Sequence, residues 1–139
     1  MKLPFELKKG GELPSLTKLV TQENVNLYAE ASGDHNPIHI DEEFASKTAL
    51  GGRVAHGMLI LAYVSEMMLG AFGKPWLSGG KLDVRFKSAA RPGDIITVSG
   101  KVIKLEKSAG QTAVTCSVLC NNDKGEGIIT GEASLTIVG

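Results

Sequence analysis

The sequence predicts an α+β fold in which an antiparallel sheet wraps around one central apolar helix, at about residues 58–69. The helix is predicted from the segment MLILAYVSEMML, in which Glu66 is the only charged residue. The sheet is predicted from the second half of the chain, where apolar and polar residues alternate between turn sequences. Because a helix that is apolar almost all round must be covered almost all round, a curved sheet is its natural cover.

The second half of the chain supplies most of the sheet. Strands are predicted over residues 81–87, 95–106, 111–119 and 126–138, with a bulge at Gly100. Consecutive strands that short turns connect pair antiparallel. The alternation directs one set of apolar side chains toward the helix, namely Leu82, Val84, Phe86, Val114, Cys116, Val118, Cys120, Ala133, Leu135 and Ile137.

The first half of the chain predicts an edge strand at residues 16–20 and a helix directly after it. Thr21 is a good N-cap for a helix that begins at Gln22. Gly33 ends that helix, since glycine readily adopts the left-handed conformation that follows a last turn.

The stretch GDHNPIH at residues 33–39 is expected to be irregular, because glycine and proline stop a helix from running through it. Asp41 is then predicted to cap a short helix over residues 42–48. Phe44 and Ala45 are expected to pack inward from that helix. Residues 49–57 contain two adjacent glycines and predict a loop that leads into the central helix.

Length and charge restrict the class of protein. A chain of 139 residues suits a single domain over residues 1–139. Its 15 basic and 15 acidic residues balance, without a basic tract, so neither nucleic acid nor a membrane is an expected partner. The first ten residues lack the long apolar core of a secretion signal.

The two cysteines, Cys116 and Cys120, predict a reducing compartment. Four residues along a strand separate them by roughly 13 Å, which is too far for a disulfide. Buried free thiols of this kind are typical of cytoplasmic proteins. A cytoplasmic location is therefore expected.

A polar cluster at residues 28–39, YAEASGDHNPIH, is the main candidate for chemistry. Asp34 and His39 lie five residues apart on non-helical backbone, so a carboxylate and an imidazole can converge on one water molecule and move its protons. The alternative interpretation is a helix C-cap followed by an Asx-Pro turn, with both side chains solvated. The residues of this stretch alone leave the two alternatives open.

Two motifs resemble those of a known family. The run Tyr28-x-x-x-Ser32-Gly33-Asp34-x-Asn36-Pro37-x-His39 resembles the signature of the MaoC-like (R)-specific enoyl-CoA hydratases and 3-hydroxyacyl dehydratases. His56-Gly57-Met58 matches the family's His-Gly-Met at the start of its central helix. The resemblance covers the whole chain and implies a hot-dog fold, a homodimer that is often assembled further, and a role in fatty acid metabolism.

The resemblance also implies a reaction. It is the reversible addition of water to a trans-2-enoyl thioester, which yields the (R)-3-hydroxyacyl thioester. The thioester is to coenzyme A or to the pantetheine of acyl carrier protein (ACP), and no metal or redox cofactor is implied.

Three residues are assigned catalytic roles. Asp34 would orient and activate the water, while His39 would share the water and act as the acid, or the two would exchange roles. The amide of Gly57 begins the central helix, where N–H groups lack intrahelical partners and the helix dipole is positive. It would therefore stabilise the charge on the thioester oxygen, as an oxyanion hole does.

Three further residues, Asn36, His56 and Met58, are the substrate-binding candidates. Asn36 would fix the loop so that the pair faces inward. His56 would either donate to a backbone carbonyl or pack. Met58, together with Leu61 and Met67, would line an acyl tunnel or belong to the core.

Other polar residues receive weaker assignments. Tyr28 and Ser32 are expected to support the loop, and His35 is expected to be exposed. The basic residues that would meet the phosphates of coenzyme A, or would simply be solvated, are Arg53, Arg85 and Lys87.

The same fold leaves three rival functions open. A dehydratase that acts on ACP thioesters would use the same residues. An acyl-CoA thioesterase would use a carboxylate elsewhere in the fold. A non-catalytic acyl-thioester binding subunit would have a degenerate Asp/His pair, whereas Asp34 and His39 are both present here.

Overall fold

The computed structural model describes residues 2–139, which contain five strands and five helices. The predicted α+β arrangement is confirmed. In chain order the elements are β1 (Leu16–Leu19), α1 (Gln22–Ser32), α2 (Pro37–Ile40), α3 (Glu42–Ser46), α4 (Gly57–Phe72), α5 (Lys74–Gly79), β2 (Lys81–Phe86), β3 (Ile95–Ser108), β4 (Gln111–Asn121) and β5 (Gly127–Val138).

The five strands form one sheet with the order β1-β3-β4-β5-β2, and every pair in it is antiparallel. Strands β3, β4 and β5 follow one another along the chain and across the sheet, as their short turns require. The two earlier strands close the sheet at its two edges. Within the described part of the chain, each edge strand therefore has a backbone side without a partner strand.

Helix α4 lies against the inner face of the sheet and supplies the centre of the core. Its buried residues are Ile60, Val64, Met67, Met68, Ala71 and Phe72. The predicted inner face of β4 is confirmed, because Val114, Cys116, Val118 and Cys120 are all buried. Both cysteines are free thiols, as predicted. Burial raises the pKa of Cys116 to about 11 and that of Cys120 to about 12.

The cover over α4 is less complete than its composition predicts. Met58 and Leu69 are 58% and 40% exposed in the single chain. The helix is also longer than predicted, since it runs from Gly57 to Phe72. It ends at Gly73, whose φ of 64° breaks the helical path.

Three local features differ from the prediction. A one-turn helix, α2, occupies part of the stretch expected to be irregular, because a proline is tolerated at the first position of a helix. Helix α5 was missed, since its six residues have no helical periodicity. The register shift in β3 lies between Val102 and Lys104, not at Gly100. Gly100 instead allows close packing, since a Cβ there would lie 2.8 Å from Leu13 Cδ1.

Two aromatic side chains expected to pack inward are about half exposed. Phe44 is 47% exposed because the short helix α3 buries only Ala45. Phe86 is 52% exposed at the end of β2, where its ring lies beside Gly57. None of the helices in residues 2–139 is long and apolar enough to cross a membrane.

Candidate active site

The loop after α1 holds Asp34 through local hydrogen bonds. Gly33 takes a left-handed conformation with φ of 77°, which turns the chain away from the helix axis. The Asp34 amide donates to Ser32 Oγ at 3.1 Å, and the Asn36 amide donates to Asp34 Oδ1 at 3.2 Å. These bonds use one oxygen of the Asp34 carboxylate and leave Oδ2 free of them.

Asn36 acts as the N-cap of α2, because its side-chain oxygen accepts from the Ile38 amide at 3.2 Å. This cap starts the helical turn that carries His39. The predicted loop-fixing position of Asn36 thus corresponds to a capping bond, and the residue is exposed. Ser32 likewise lies where loop support was expected.

His39 is almost fully buried and is held by two bonds from other elements. Its Nδ1 lies 2.7 Å from the carbonyl oxygen of Val54. A carbonyl can only accept, so Nδ1 carries the proton and Nε2 of the neutral ring has a free lone pair. The His39 carbonyl accepts a bond from Gln22 Nε2 at 2.7 Å, which ties α2 to the start of α1.

Asp34 and His39 face each other across a short gap. The distance between Asp34 Oδ2 and His39 Nε2 is 3.9 Å. That is too long for a direct hydrogen bond. A water about 2.8 Å from both atoms would subtend roughly 90° between them, close to the angle between the two O–H bonds of water. The Asp34 side chain is 53% exposed and the His39 side chain 9%, so the gap is open to solvent on the carboxylate side.

His56 packs behind this pair. Its Nε2 lies 3.0 Å from the carbonyl oxygen of Asp34, so Nε2 is the protonated nitrogen. Its ring stacks on the ring of His39, with centroids 3.8 Å apart and planes 26° apart. Tyr28 packs against His56 with a centroid distance of 4.8 Å. The His56 Nδ1 atom is buried without a hydrogen-bond partner among the described residues.

Gly57 follows His56 and starts α4. The amides of Leu59 and Ile60 bond to the His56 carbonyl. Within residues 2–139, the Gly57 amide has no protein acceptor and is available to a ligand. A cavity of about 370 Å³ adjoins Gly57, and its lining includes Phe86 and Lys87 but neither Asp34 nor His39.

Asp34, His39 and His56 also meet the geometric requirement for a cation site, since each offers one ligand atom within 4.8 Å of the others. Both imidazoles already use one nitrogen on a backbone carbonyl. Such bonds are also typical of metal-ligating histidines, so the donor set fits a divalent cation as well as a water. The sequence-based expectation of no metal stays a prediction.

The other residues considered for substrate binding differ in burial and in their contacts. Arg53 Nε bonds to Glu42 Oε2 at 2.9 Å, so its charge is already neutralised. Met67 is buried in the core, whereas Met58 is exposed at the start of α4. Arg85 is exposed on the edge strand β2, and Lys87 lines the cavity beside Gly57.

Sequence reasoning missed two groups that shape the site. The Val54 carbonyl selects the free nitrogen of His39, and Gln22 holds the backbone of α2. A backbone carbonyl has no residue-type signal, so only the fold identifies it. Gln22 had been considered only as the first residue of α1.

The central helix wrapped by an antiparallel sheet, with a paired carboxylate and imidazole near the start of that helix, defines a hot-dog protein with a candidate acid–base site. The MaoC like domain model matches residues 9–123 of the chain. The chain belongs to the MaoC-like family, as its two motifs predicted.

Comparisons with known proteins agree with this membership. The chain is 32% identical over 135 residues to the (R)-specific enoyl-CoA hydratase of Rhodospirillum rubrum, covering 96% of this chain and 90% of the relative. It is 32% identical over 137 residues to the 3-hydroxybutyryl-CoA dehydratase of Methylorubrum extorquens, covering 97% and 84%. The solved structure of the (R)-hydratase from Aeromonas caviae involved in PHA biosynthesis superposes with a TM-score of 0.82, at 27% identity, covering 96% and 98%.

Proposed function

We propose that this protein catalyses the reversible addition of water to trans-2-enoyl thioesters, which gives (R)-3-hydroxyacyl thioesters. Relatives that match nearly the whole chain carry hydratase and dehydratase names, which supports a hydro-lyase activity. The observation that carries the assignment is the 3.9 Å gap between Asp34 Oδ2 and His39 Nε2. Both atoms are acceptors when the carboxylate is ionised and the ring is neutral, so one water can donate to both.

The bonding of His39 favours one division of roles. In the hydration direction, the water oxygen forms its bond to C3 while one water proton moves to His39 Nε2. The resulting imidazolium lies beside the Asp34 carboxylate, which stabilises the charge. The imidazolium then returns a proton to C2, and His39 is neutral again. Asp34 holds the second O–H of the water and directs its lone pair toward C3.

This division exchanges the roles first assigned to the two residues. The reason is the Val54 carbonyl, which occupies Nδ1 and leaves Nε2 as the proton acceptor. Because the proton and the hydroxyl group both come from one site, H and OH add to the same face of the double bond.

The Gly57 amide is proposed to bind the thioester oxygen. Negative charge builds on that oxygen while C3 is attacked, and an amide at a helix N-terminus is oriented to stabilise it. The 370 Å³ cavity beside Gly57 would then hold atoms next to the thioester, with Lys87 at its wall.

A homodimer is proposed as the working form. Strand β2 has a free backbone edge in the single chain, and Phe86 on that strand is half exposed. Exposed apolar residues of α4, Met58 and Leu69, would also be covered by a second copy. The expected role in fatty acid metabolism and the cytoplasmic location stay predictions.

The carrier of the acyl group is proposed to be coenzyme A, or alternatively ACP. The proposed steps use only the groups of the chain and water, so no metal or redox cofactor is required by them. Dialysis against EDTA should therefore leave the rate unchanged. Loss of activity with EDTA, restored by a divalent cation, would instead assign the Asp34, His39 and His56 set to a metal.

The decisive experiment is incubation with crotonyl-CoA. Hydration removes the absorbance of the conjugated thioester without releasing a thiol. Release of free thiol would instead indicate a thioesterase, and no change with enoyl-CoAs from C4 to C12 would contradict the proposal. A parallel assay with crotonyl-ACP separates the two carriers, and chirality of the product tests the (R) assignment.

A further inference from the structure

His56 contacts each of the three groups assigned to the reaction. Its Nε2–H donates to the Asp34 carbonyl at 3.0 Å, and its ring stacks on His39 at a centroid distance of 3.8 Å. Through its own peptide bond it precedes Gly57, and it is the N-cap residue of α4. No side-chain cap bond is made at this helix end, so the imidazole is free for these other contacts.

We propose that His56 is a positioning residue that holds Asp34, His39 and Gly57 in one register, with Tyr28 as its support. This inference rests on the proposed hydratase function. His56 does not need to touch the substrate in this role, and the exposed surface of its residue is only 2%.

The hydrogen bond from His56 acts on the backbone of Asp34. Among residues 2–139, the carboxylate of Asp34 accepts a hydrogen bond from the Asn36 amide alone, and its side chain is half exposed. Local turn bonds leave such a loop free to shift as a unit. A bond from a buried ring that belongs to α4 fixes the loop against the helix.

The stack acts on the ring of His39. The Val54 bond fixes one edge of that ring, but a single bond allows the ring to tilt about it. The face of His56, 26° from parallel, removes this freedom. Tyr28 of α1 contacts His56 with a centroid distance of 4.8 Å and a tilt of 57°, so the rings of Tyr28, His56 and His39 contact one another in series, and we call this series the ring column.

With its single proton on Nε2, His56 is a neutral ring, and a neutral ring can lie against the charged form of His39. With its proton on Nε2, His56 has a bare Nδ1 that is buried and without a donor among the described residues. The described groups close to His56 include Tyr28, His39, the Asp34 carbonyl and a carboxylate oxygen of Asp34 within 4.8 Å. A neutral ring can stack on the imidazolium that forms at His39 without repulsion.

Two substitutions separate the bond from the stack. His56→Phe keeps a ring beside His39 but removes the donor to Asp34. His56→Gln keeps an N–H donor but removes the stack. We expect each to lower kcat for crotonyl-CoA hydration by about 10- to 100-fold while KM changes by less than about threefold. His35→Phe and His35→Gln are matched controls, since His35 is exposed, and should retain the wild-type kcat.

A readout that does not depend on activity accompanies the kinetics. The ring ¹⁵N shifts of His39 report which nitrogen is protonated and how the ring is oriented, and we expect them to move in His56→Phe and His56→Gln. Tyr28→Leu, which removes the end of the ring column, should shift them in the same direction, whereas Tyr28→Phe should not. If a His56 variant does not fold, the same measurement on the Tyr28 variants tests the inference.

Three outcomes would overturn the inference. The first is that both His56 variants keep kcat within about twofold of wild type. The second is that KM rises while kcat stays unchanged, which would indicate a substrate contact instead. The third is that the His39 shifts are unchanged in all ring variants, and this result decides the matter even for an inactive wild-type protein. Wild-type inactivity on every enoyl thioester would reject the proposed function separately.

Discussion

The Nε2 atom of His39 lies 3.9 Å from Oδ2 of Asp34, although the two residues belong to different structural elements. Asp34 lies in the loop after α1, and His39 lies on the one-turn helix α2. The separation matches a bridging water better than a direct bond. Chemistry at this gap should therefore depend on both side chains.

Replacement of either Asp34 or His39 should strongly reduce the rate of hydration and should change the stability of the fold little. Asp34→Asn keeps the shape but has only one acceptor oxygen, and His39→Gln removes the ring nitrogen that takes the proton. We expect kcat to fall by about 10²–10⁴-fold in each variant, the usual range for an acid–base group. Stopped-flow or steady-state loss of crotonyl-CoA absorbance measures it. The double variant should be no more than about tenfold worse than the poorer single variant, since the two residues act on one water. Full additivity would argue that they act separately.

Gly57→Ala should impair activity more than folding. Gly57 is the first residue of α4, and alanine is at least as good a helix former as glycine, so the helix itself should still form. A Cβ at Gly57 would lie 3.1 Å from Phe86 Cε1, so the Phe86 ring must shift, and the same Cβ would crowd a ligand at the amide. We expect kcat to fall at least tenfold with a thermal midpoint close to wild type.

A second variant separates the two effects of that Cβ. Gly57→Ala combined with Phe86→Leu relieves the contact with the ring but still crowds the amide. Activity should therefore stay low in the double variant. Recovery of the wild-type rate would show that the displaced ring, and not the amide, accounts for the loss.

Gly131→Ala and Gly70→Ala should change the free energy of unfolding in opposite directions. A Cβ at Gly131 would lie 2.6 Å from Val84 Cα and against the Asp83 carbonyl, so β2 would have to move away from β5. We expect a loss of about 1–3 kcal/mol. Gly70 lies in α4 with nothing within 4 Å of its added Cβ, and alanine there should add up to about 1 kcal/mol. Urea unfolding followed through Trp76 measures both, and a destabilised Gly70→Ala would contradict the packing described here.

Cys116 and Cys120 should be unreactive at neutral pH. Burial raises the pKa of these thiols to about 11 and about 12, against an ordinary value of 9.0. The thiolate is the reactive form, so a thiol reagent at pH 8 should modify the native protein only after unfolding. Rapid modification without denaturant would contradict their burial.

The same thiols predict a loss of stability in alkali. Their folded pKa values lie above the unfolded ones, so the unfolded chain loses its protons first as the pH rises. The stabilisation is complete below about pH 9 and declines between there and pH 11 to 12, by at most about 1.4 kcal/mol per thiol for each pH unit. Thermal midpoints from pH 8 to 11 measure it. The Cys116→Ala, Cys120→Ala double variant, although less stable at pH 8, should show a shallower decline.

Strand and helix patterns could be predicted because they are local. The alternation along β4 correctly placed four side chains on the buried face, since period-two geometry needs no knowledge of the partner strands. The predictions of Thr21 and Asp41 as helix caps were also correct, because a cap bonds to amides only two or three residues away. The predicted burial of Phe44 and Phe86 was wrong, because the burial of these side chains depends on which other elements cover them.

Some features of the candidate site could likewise be predicted from the sequence, and others could not. Residue type and spacing made Asp34, Asn36 and His39 candidates, and the resemblance of two motifs to the MaoC-like family selected them together with Gly57. The position of Asp41 as a helix cap followed from local rules, whereas Asn36 was expected to fix an irregular loop and instead caps α2, a helix that was not predicted. Such rules could not predict that Met58 is exposed and Met67 buried, because both residues occur in one uniformly apolar helix.

The order of residues by itself determined that a carboxylate and an imidazole flank a proline-bearing turn ahead of an apolar helix, because turns, caps and periodicity act over a few residues. Only the tertiary structure decided which nitrogen of His39 is free, that His56 lies on its face, and that Tyr28 closes the ring column. The physical reason is that the deciding partners are backbone carbonyls and ring faces supplied by distant segments. Their positions depend on how α1, α2 and α4 pack together.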